Sequence, residues 1–282
     1  MLAAHADEPA SVFVWEREES YFGGLSGFEI GADGTSFVAI GDSATVLKGE
    51  VVRDAEGRIV DMALDGPIGG LTDAEGRPLW QVGDGDLMDS EGLARLPDGR
   101  WAVSFEAAHR VWLYDDLGTG PADPLPDAPF FGELQYNSGI ETLAADELGR
   151  LWAIPERSGA RERPFPVHRY ADGAWSTPLS LPRRGRFLPT GADFDDEGRL
   201  YLLERDFLGL LGFRTRVRRF TFDGDAIRRE ETLLVTGPAE RDNLEGIGVW
   251  RGADGALRMT LISDDNHFPL QRTEVVEYRL TE

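Results

Sequence analysis

The sequence contains no cysteine and only one lysine, Lys48, among its 282 residues. The absence of cysteine excludes disulfide bonds, thiolate catalysis and cysteine-ligated zinc, although it does not fix the cellular compartment. Histidine is also scarce, and the four residues His5, His109, His168 and His267 show no spacing typical of metal ligands. The chain has neither a phosphate-binding glycine loop nor a dinucleotide-binding fingerprint. These absences exclude the common nucleotide-binding motifs and the metal sites built on cysteine or histidine.

Long apolar runs are missing as well, and acidic residues greatly outnumber basic ones. No stretch of eighteen apolar residues occurs, so the sequence predicts no transmembrane helix. The formal net charge is −22, from 51 acidic and 29 basic residues. A chain of this charge is repelled by nucleic acids and anionic membranes and attracts cations. We therefore expect no nucleic-acid partner and no membrane insertion.

The first residues carry a weak export signal. Ala4, His5 and Ala6 fit the small-residue cleavage pattern of a secretory signal peptide, but the charged and apolar regions that precede such a site are missing. We expect residues 1–10 to be a flexible signal-peptide remnant and the protein to be periplasmic or secreted.

The most prominent feature of the sequence is a repeat with a period of about fifty residues. Each clear copy places a turn centred on a glycine between two apolar stretches, and weaker copies occupy residues 25–42 and 243–265. A repeat of this length indicates an architecture built from repeated supersecondary units. The clear copies are SEGLARLPDGRWAVSFE at 90–106, GIETLAADELGRLWAIPE at 139–156 and TGADFDDEGRLYLLE at 190–204.

Each copy predicts an antiparallel hairpin followed by one or two further strands. The residue pairs Asp98–Gly99 and Glu197–Gly198 have the composition of tight primed turns, which need a residue with positive φ. Three to four strands per unit, with no helical period between them, predict an all-β fold that forms a single β-propeller domain over residues 1–282. Five blades can be counted, and a sixth in the long first interval is the alternative. Residues 11–15 predict an outer strand that closes the last blade and removes its free edge.

One position of the repeat, in the loop that enters each innermost strand, is rich in carboxylates. In a propeller this loop lies at one mouth of the central channel. Three carboxylates around one axis repel each other unless a cation or protons lie between them. Calcium suits such a site because it accepts irregular oxygen coordination. The position is occupied by Ser26, Glu91, Glu141, Thr190 and Glu245, of which the three glutamates are predicted metal ligands.

A second acidic column lies at the far end of the next strand, which the hairpin returns to the same mouth. We assign Asp42 and Glu204 from this column to the metal, and Glu106, Glu156 and Asp264 to catalysis. Polar residues at blade tips can also serve only to tie blades together by hydrogen bonds, and this alternative stays open.

Cationic and amide side chains accompany the acids. Arg157, Arg205 and Asn266 are predicted to bind an anionic substrate, because arginine holds the charge of an ester while a metal polarises its oxygen. His267 is the histidine predicted for acid–base chemistry.

At these same residues the chain resembles the phytase-like proteins, a family described as having an esterase-like activity of phytase. The resemblance implies a β-propeller that bacteria often export, and a phosphoric-ester hydrolase activity that depends on acidic residues. Phytases proper bind calcium and a polyphosphate in an acidic cleft. This chain has no lysine-rich phosphate cradle, which counts against phytate, although Arg183, Arg184 and Arg186 are available instead. The matching segments include FGGLSGFE at 22–29, DSEGLARLPDGR at 89–100, NLEGI at 243–247 and LISDDN at 261–266.

The predicted function is calcium-dependent hydrolysis of a small anionic phosphate ester, either phosphodiesterase-like or phytase-like. One alternative is a calcium-dependent lactonase or carboxylic esterase, since these enzymes also use propellers with acidic ligands at the channel mouth. Another is a non-catalytic propeller that binds a ligand or protein through its rim. In that case the apolar run at 207–213 would be a contact loop rather than a lid.

Overall fold

Five antiparallel sheets, arranged as the blades of a β-propeller, make up the computed structural model. The structure describes residues 8–19, 21–82 and 85–280. The five-bladed all-β fold that the repeat predicts is therefore confirmed. Most of the predicted signal-peptide remnant, including His5, lies outside the described residues.

Each blade runs from an innermost strand at the axis to a strand at the rim, and the innermost strands contact one another in a ring. The first strand of the chain is β1 (Ser11–Val14), and blade 1 contains β2 (Leu25–Ile30), β3 (Ser36–Gly41), β4 (Thr45–Arg53), β5 (Ile59–Leu64) and β6 (Gly69–Gly70). Blade 2 contains β7 (Ser90–Arg95), β8 (Trp101–Phe105), β9 (Arg110–Tyr114) and β10 (Asp123–Pro124), and blade 3 contains β11 (Thr142–Ala145), β12 (Leu151–Ile154), β13 (Phe165–Ala171) and β14 (Ala174–Leu181). Blade 4 contains β15 (Leu188–Phe194), β16 (Leu200–Phe207), β17 (Phe213–Asp223) and β18 (Ala226–Val235).

Blade 5 joins the two ends of the described chain. It contains β19 (Asn243–Arg251), β20 (Leu257–Asp264) and β21 (Glu274–Arg279), and β1 pairs antiparallel with β21 as its outer strand. Val12 lies opposite Val276 in this pairing. The predicted closure by the N-terminal strand is confirmed, so β21 does not present a free edge.

The segments that suggested a sixth blade have other roles. Residues 59–64 form β5, the outer strand of blade 1, and Leu79–Val82 forms the short helix α1. The other helical segments are single 3₁₀ turns at Gly85–Leu87, Pro129–Glu133 and Gly209–Leu211. The apolar run at 207–213 forms a short connection, because β16 continues to Phe207 and β17 starts at Phe213.

The repeated turn differs from a two-residue primed turn. Gly99 and Gly198 have positive φ angles of 93° and 72°, as predicted, whereas their preceding residues do not appear among the described residues with positive φ. In blade 2 the Leu96 N–H donates to the Arg100 carbonyl at 2.8 Å, and the Gly99 N–H donates to the Leu96 carbonyl. The hairpin is therefore closed by a three-residue loop with a glycine in the left-handed conformation.

The hydrophobic core is divided into five clusters, one between each pair of neighbouring blades. Each fully buried large apolar side chain contributes about 1.5–3 kcal/mol relative to an exposed one. The glycine that follows the mouth residue lets the inner strands approach closely. A Cβ on Gly92 would lie 2.7 Å from the Leu143 Cβ, and one on Gly191 would lie 2.3 Å from the Glu245 carbonyl oxygen. This packing fixes the mouth residues of adjacent blades next to each other.

Candidate functional site: a carboxylate-lined channel mouth

One mouth of the central channel is a cavity of about 360 Å³ whose walls are almost entirely polar. Eight carboxylates line it, together with the guanidinium groups of Arg157 and Arg205 and the amides of Asn137 and Asn266. We refer to it as the acidic mouth. Its carboxylates are Asp42, Asp89, Glu91, Glu106, Glu141, Glu156, Glu245 and Asp264.

The repeat explains why these side chains converge. Glu91 and Glu245 lie near the start of the innermost strands β7 and β19, and Glu141 immediately precedes β11. Asp42 and Glu106 follow directly on the second strands β3 and β8, which the hairpins return to the same end of the channel. The structure thus brings both predicted columns to one place, with the exception of Glu204 in blade 4.

The two hydroxyl residues of the first column connect neighbouring blades. The Ser26 hydroxyl donates to the Ser90 carbonyl at 2.6 Å, and the Thr190 hydroxyl donates to the Leu244 carbonyl at 3.4 Å. At these two positions the side chain does tie blades together, which was the structural alternative for the whole column. The acids are therefore concentrated on the remaining sides of the mouth.

Three carboxylates lie close enough together to bind one ion. Glu91, Glu106 and Glu141 each offer an oxygen, and these oxygens lie within 4.8 Å of one another. Calcium binds oxygen ligands at about 2.3–2.6 Å, so two ligands of one ion lie at most about 5 Å apart. The Gly139 N–H donates to Glu106 Oε2 at 3.1 Å and orients this carboxylate. The donor set, which is all oxygen, fits a hard divalent cation.

The protonation of this group is strongly perturbed. Burial raises the pKa of Glu91 well above its usual value, and the neighbouring Glu141 and Glu245 raise it further. Burial likewise raises the pKa of Glu141, while Arg205 opposes the effect and the surrounding carboxylates add to it. The pKa of Glu106 is also raised, mainly by burial. Carboxylates in this position must share protons or a cation, because they cannot all stay ionised side by side.

Arg205 is the cation at the centre of the acidic mouth. Its guanidinium contacts Glu245, donates to Asn243 Oδ1 at 3.0 Å and lies 3.4 Å from Glu156 Oε1. Burial alone lowers the pKa of Arg205, but Glu245, Glu141 and Glu156 raise it above its usual value. Arg205, which was predicted to bind substrate, is thus already paired with Glu245 and Glu156 and holds these carboxylates in position.

Arg157 is more accessible than Arg205. Its side chain is half exposed, and its Nε donates to the Ser138 hydroxyl at 2.7 Å and to Glu156 Oε2 at 3.1 Å. The rest of its guanidinium can reach an anion at the edge of the mouth. Asn266 also lines the cavity, as predicted for a substrate-binding residue.

Asp264 closes the mouth on the side of blade 5. The Asn266 N–H donates to Asp264 Oδ1 at 2.6 Å, and the Asn243 amide lies 3.4 Å from Oδ2. Burial, with Glu245 as the next contribution, raises the pKa of Asp264 to about 8. A carboxyl group with this pKa is able to hold and release a proton near neutral pH.

His267 lies at the rim and does not line the cavity. Its Nε2 is 3.9 Å from Asp42 Oδ1, and its backbone N–H donates to Asp265 Oδ1 at 3.0 Å. Burial raises the pKa of Asp42, with His267 acting in the opposite direction. The structure therefore brings His267 near one predicted metal ligand but not among the carboxylates assigned to catalysis.

Glu204 does not reach the acidic mouth, which corrects its assignment as a metal ligand. Its side chain is fully buried, and both of its oxygens accept hydrogen bonds from Arg218 and Arg216 at 2.6–2.8 Å. Arg205 pairs with Leu188 in blade 4 as Asp264 pairs with Asn243 in blade 5, so Arg205 rather than Glu204 occupies the column position and faces the cavity. The fourth blade thus contributes a cation where the other blades contribute acids.

Asp89 and Asn137 also line the acidic mouth. Burial raises the pKa of Asp89, and the neighbouring Asp42 raises it further. Asp89 precedes β7 by one residue, so it shares the loop that carries Glu91. The sequence signal for both was their place just before a column glutamate.

A model of the phytase-like family, described as having the esterase-like activity of phytase, matches residues 20–267. The chain belongs to this family. The matched region includes both acidic columns, blades 1 to 4 and the two inner strands of blade 5, so the family assignment covers the acidic mouth. No curated protein matches the chain significantly in sequence.

Solved structures share the propeller fold at low sequence identity. An aldose sugar dehydrogenase from Streptomyces coelicolor, solved in its PQQ-bound form, is 14% identical, with 96% of this chain and 98% of that chain covered and a TM-score of 0.51. An exo-β-1,3-galactanase from Clostridium thermocellum is 11% identical, with 96% of this chain and 63% of that chain covered and a TM-score of 0.56. At these identities the likeness shows the fold alone. Among the described residues, no helix has the length and apolar character needed to span a membrane.

Proposed function

We propose that this protein is a divalent-cation-dependent hydrolase of a small anionic phosphate ester, and that calcium is the cation. The observation that carries the proposal is the group of three carboxylates, with oxygens within 4.8 Å of one another, at the centre of a mouth lined by eight acids. Membership of a family described as esterase-like supports ester hydrolysis as the reaction.

Glu91, Glu106 and Glu141 would hold the cation, with Asp89 and Asn137 as further oxygen donors. When bound, a divalent cation neutralises these carboxylates and polarises a phosphoryl oxygen. Burial raises the pKa values of the three glutamates, neighbouring carboxylates add to the rise, and a bound cation would oppose it.

The chain's own residues supply the remaining chemistry. Arg157, which is half exposed at the edge of the mouth, would hold a phosphate oxygen through its free guanidinium N–H groups. Hydrolysis forms a bond from a water oxygen to phosphorus and breaks the ester P–O bond, so the attacking water loses one proton to solvent and one proton reaches the leaving oxygen. Asp264, with a pKa of about 8, would supply the proton to the leaving oxygen. Glu156, held between Arg157 and Arg205, would orient both arginines.

The direct test is hydrolysis of an aryl phosphate monoester and diester, with calcium or with a chelator. We compare the unmodified protein with Glu141→Gln. The matched control is Glu29→Gln, because Glu29 lies on the inner strand β2 at the opposite end of the channel. We expect calcium-dependent turnover that Glu141→Gln lowers about 100-fold or more, since metal polarisation supplies several kcal/mol of transition-state stabilisation. Glu29→Gln should retain its activity.

The same experiment includes an aryl carboxylate ester and a lactone. Turnover of these two without turnover of either phosphate would contradict the phosphate part of the proposal. No turnover in any arm would contradict the enzymatic proposal altogether and leave a binding role for the mouth.

A further inference from the structure

A groove of about 1010 Å³ opens beside the acidic mouth. The two cavities are continuous, because Glu156, Arg157, Arg205 and Asn266 line both of them. A molecule whose reacting group sits in the mouth can therefore extend into the groove. The proposed hydrolysis does not use the groove, and its walls differ sharply in chemistry from those of the mouth.

One wall of the groove is cationic. Arg161 and Arg183 form no ion pair with a carboxylate among the described residues, although the chain has 51 acidic residues for 29 basic ones. Within the described part of the chain, Arg183 donates only to the Ser158 hydroxyl and the Ala160 carbonyl, both at 3.4 Å, and its buried Nε has no hydrogen-bond partner there. Burial lowers the pKa of Arg183, and the adjacent charges of Arg161 and Arg157 lower it further. An anion would relieve this accumulation of positive charge.

Another part of the groove wall is apolar and exposed. Phe207 and Phe213 pack ring against ring, with centroids 5.0 Å apart, at the ends of β16 and β17. Leu210, in the 3₁₀ turn between them, is fully exposed, and Leu270 on the loop before β21 is 83% exposed. Phe268 also lines the groove. Exposed large apolar residues that gather along one groove typically mark a binding surface.

We propose that this groove binds the apolar part of the substrate, which we identify as an anionic ester with an aryl or alkyl group. The anionic group would lie between Arg157 and the Arg161–Arg183 wall, and the apolar group would lie against the wall that Phe207, Leu210 and Leu270 form. This assignment of the substrate class rests on the proposed function. An anionic lipid surface is a poorer partner, because the net charge of −22 opposes it.

The test measures binding rather than turnover, so that it does not depend on catalysis. The probes are 1-naphthylphosphonate and methylphosphonate, which carry the same anionic group and have no hydrolysable ester bond. Titration calorimetry in calcium is expected to give naphthylphosphonate an affinity at least about tenfold higher, the gain from burying an apolar ring. Equal affinities for the two probes would overturn the proposal.

Variants assign the preference to the two walls. We expect Arg183→Gln to weaken both phosphonates about tenfold, and Leu210→Ser with Leu270→Ser to weaken naphthylphosphonate alone. Arg184→Gln is the control for the cationic wall, since Arg184 pairs with Glu230 outside the groove. Leu148→Ser is the control for the apolar wall, since Leu148 is 70% exposed on a distant turn. Controls that weaken binding as much as the groove variants would overturn the proposal.

The two proposals fail in distinguishable ways. Selective naphthylphosphonate binding without hydrolysis of any ester would support the groove and contradict the proposed function. Two aryl phosphodiesters can be compared whose second ester group is methyl in one and naphthyl in the other. Calcium-dependent hydrolysis of both with the same kcat/KM would support the function and overturn the groove assignment. Binding of the protein to anionic vesicles through Leu210, with no phosphonate preference, would also overturn it.

Discussion

Glu29 and Asp193 form a second acidic pair, at the end of the channel opposite the acidic mouth. Glu29 Oε1 accepts the Arg95 N–H at 3.0 Å, and Asp193 Oδ2 accepts the Val249 N–H at 2.6 Å, so each carboxylate connects two inner strands. Burial, with the repulsion of Asp193 as the next cause, raises the pKa of Glu29 well above its usual value. Burial also raises the pKa of Asp193, to about 7.

A carboxyl group with a raised pKa in the folded state favours folding at low pH and loses that contribution as the pH rises through the folded pKa. Glu29→Gln removes one charge and keeps an oxygen acceptor for the Arg95 N–H. We expect it to raise the free energy of unfolding at pH 8 by on the order of 1 kcal/mol, with little effect at pH 4. Urea unfolding at both pH values measures this, with the exposed Glu147→Gln as control. A gain that is equal at both pH values would contradict the electrostatic cause.

Individual residues show where sequence reasoning about the site reached its limit. The repeat correctly places Glu91, Glu141 and Glu245 at one mouth, because equivalent positions of successive blades must surround the axis. It misplaces Glu204, because the strand register puts Arg205 at the column position, and successive strand residues point to opposite faces. Glu204 therefore faces Arg216 and Arg218 instead of the mouth. The run of arginines at 214–219 was the available signal. A buried glutamate on a strand next to these arginines forms ion pairs with them and is not available as a metal ligand.

At the scale of the element, the first strand, β1, contacts both blade 5 and blade 1. β1 pairs with β21 in blade 5, and the Ser11 hydroxyl oxygen accepts the N–H of Ile59 in blade 1 at 2.8 Å. Arg53 of blade 1 donates to both oxygens of the buried Glu277 in β21. These polar contacts fix blade 1 to blade 5 where the ring closes.

Ser11→Ala tests this connection. The substitution leaves the buried Ile59 N–H without its acceptor, and an unsatisfied buried donor costs about 1–3 kcal/mol. We expect the urea midpoint to fall accordingly without a change in the m-value. Val12→Ala, on the exposed side of the same strand, should change the free energy of unfolding by no more than about 0.5 kcal/mol. A similar loss in both variants would show that the strand rather than the hydrogen bond is responsible.

The elements themselves could be predicted well from the sequence. The glycine of the repeated turn and the apolar stretches on either side fix the hairpins, and the hairpins fix the blades. The predictions failed where tertiary packing decides. Residues 79–82, in the interval that suggested a sixth blade, form α1, whose Leu79 is buried in the cluster between blades 1 and 2. β16 continues to Phe207, three residues past Glu204. The turn type also differed, since composition indicates the positive φ of Gly99 but not the loop length.

For the whole molecule, the acidic mouth makes stability depend on pH and on cations. The raised pKa values of Glu91, Glu141, Glu245 and Asp264 mean that folding becomes less favourable as these groups ionise with increasing pH. Calcium, if it binds the folded state alone, stabilises the protein by about 2.7 kcal/mol at a hundred times its Kd.

We therefore expect calcium to raise the melting temperature strongly at pH 8 and only weakly at pH 5. In chelator at pH 8, Glu141→Gln should melt above the unmodified protein, because it removes one of the repelling charges. It should also lose the response to calcium, whereas Glu29→Gln should keep it. An undiminished calcium response in Glu141→Gln would contradict the assignment of the ion to this mouth. Differential scanning calorimetry provides all of these comparisons.

The pairing of β1 with β21 also has a consequence for the order of events during synthesis. The strand near the start of the chain pairs with residues 274–277, so the ring closes only after every blade has left the ribosome. Until then β1 lacks the strand with which it pairs, and the facing sides of blades 1 and 5 stay exposed. Contacts this distant in sequence fold slowly, and the open intermediate presents unpaired strand edges. The nascent chain therefore depends on neighbouring blades assembling first and on its earliest strand docking last.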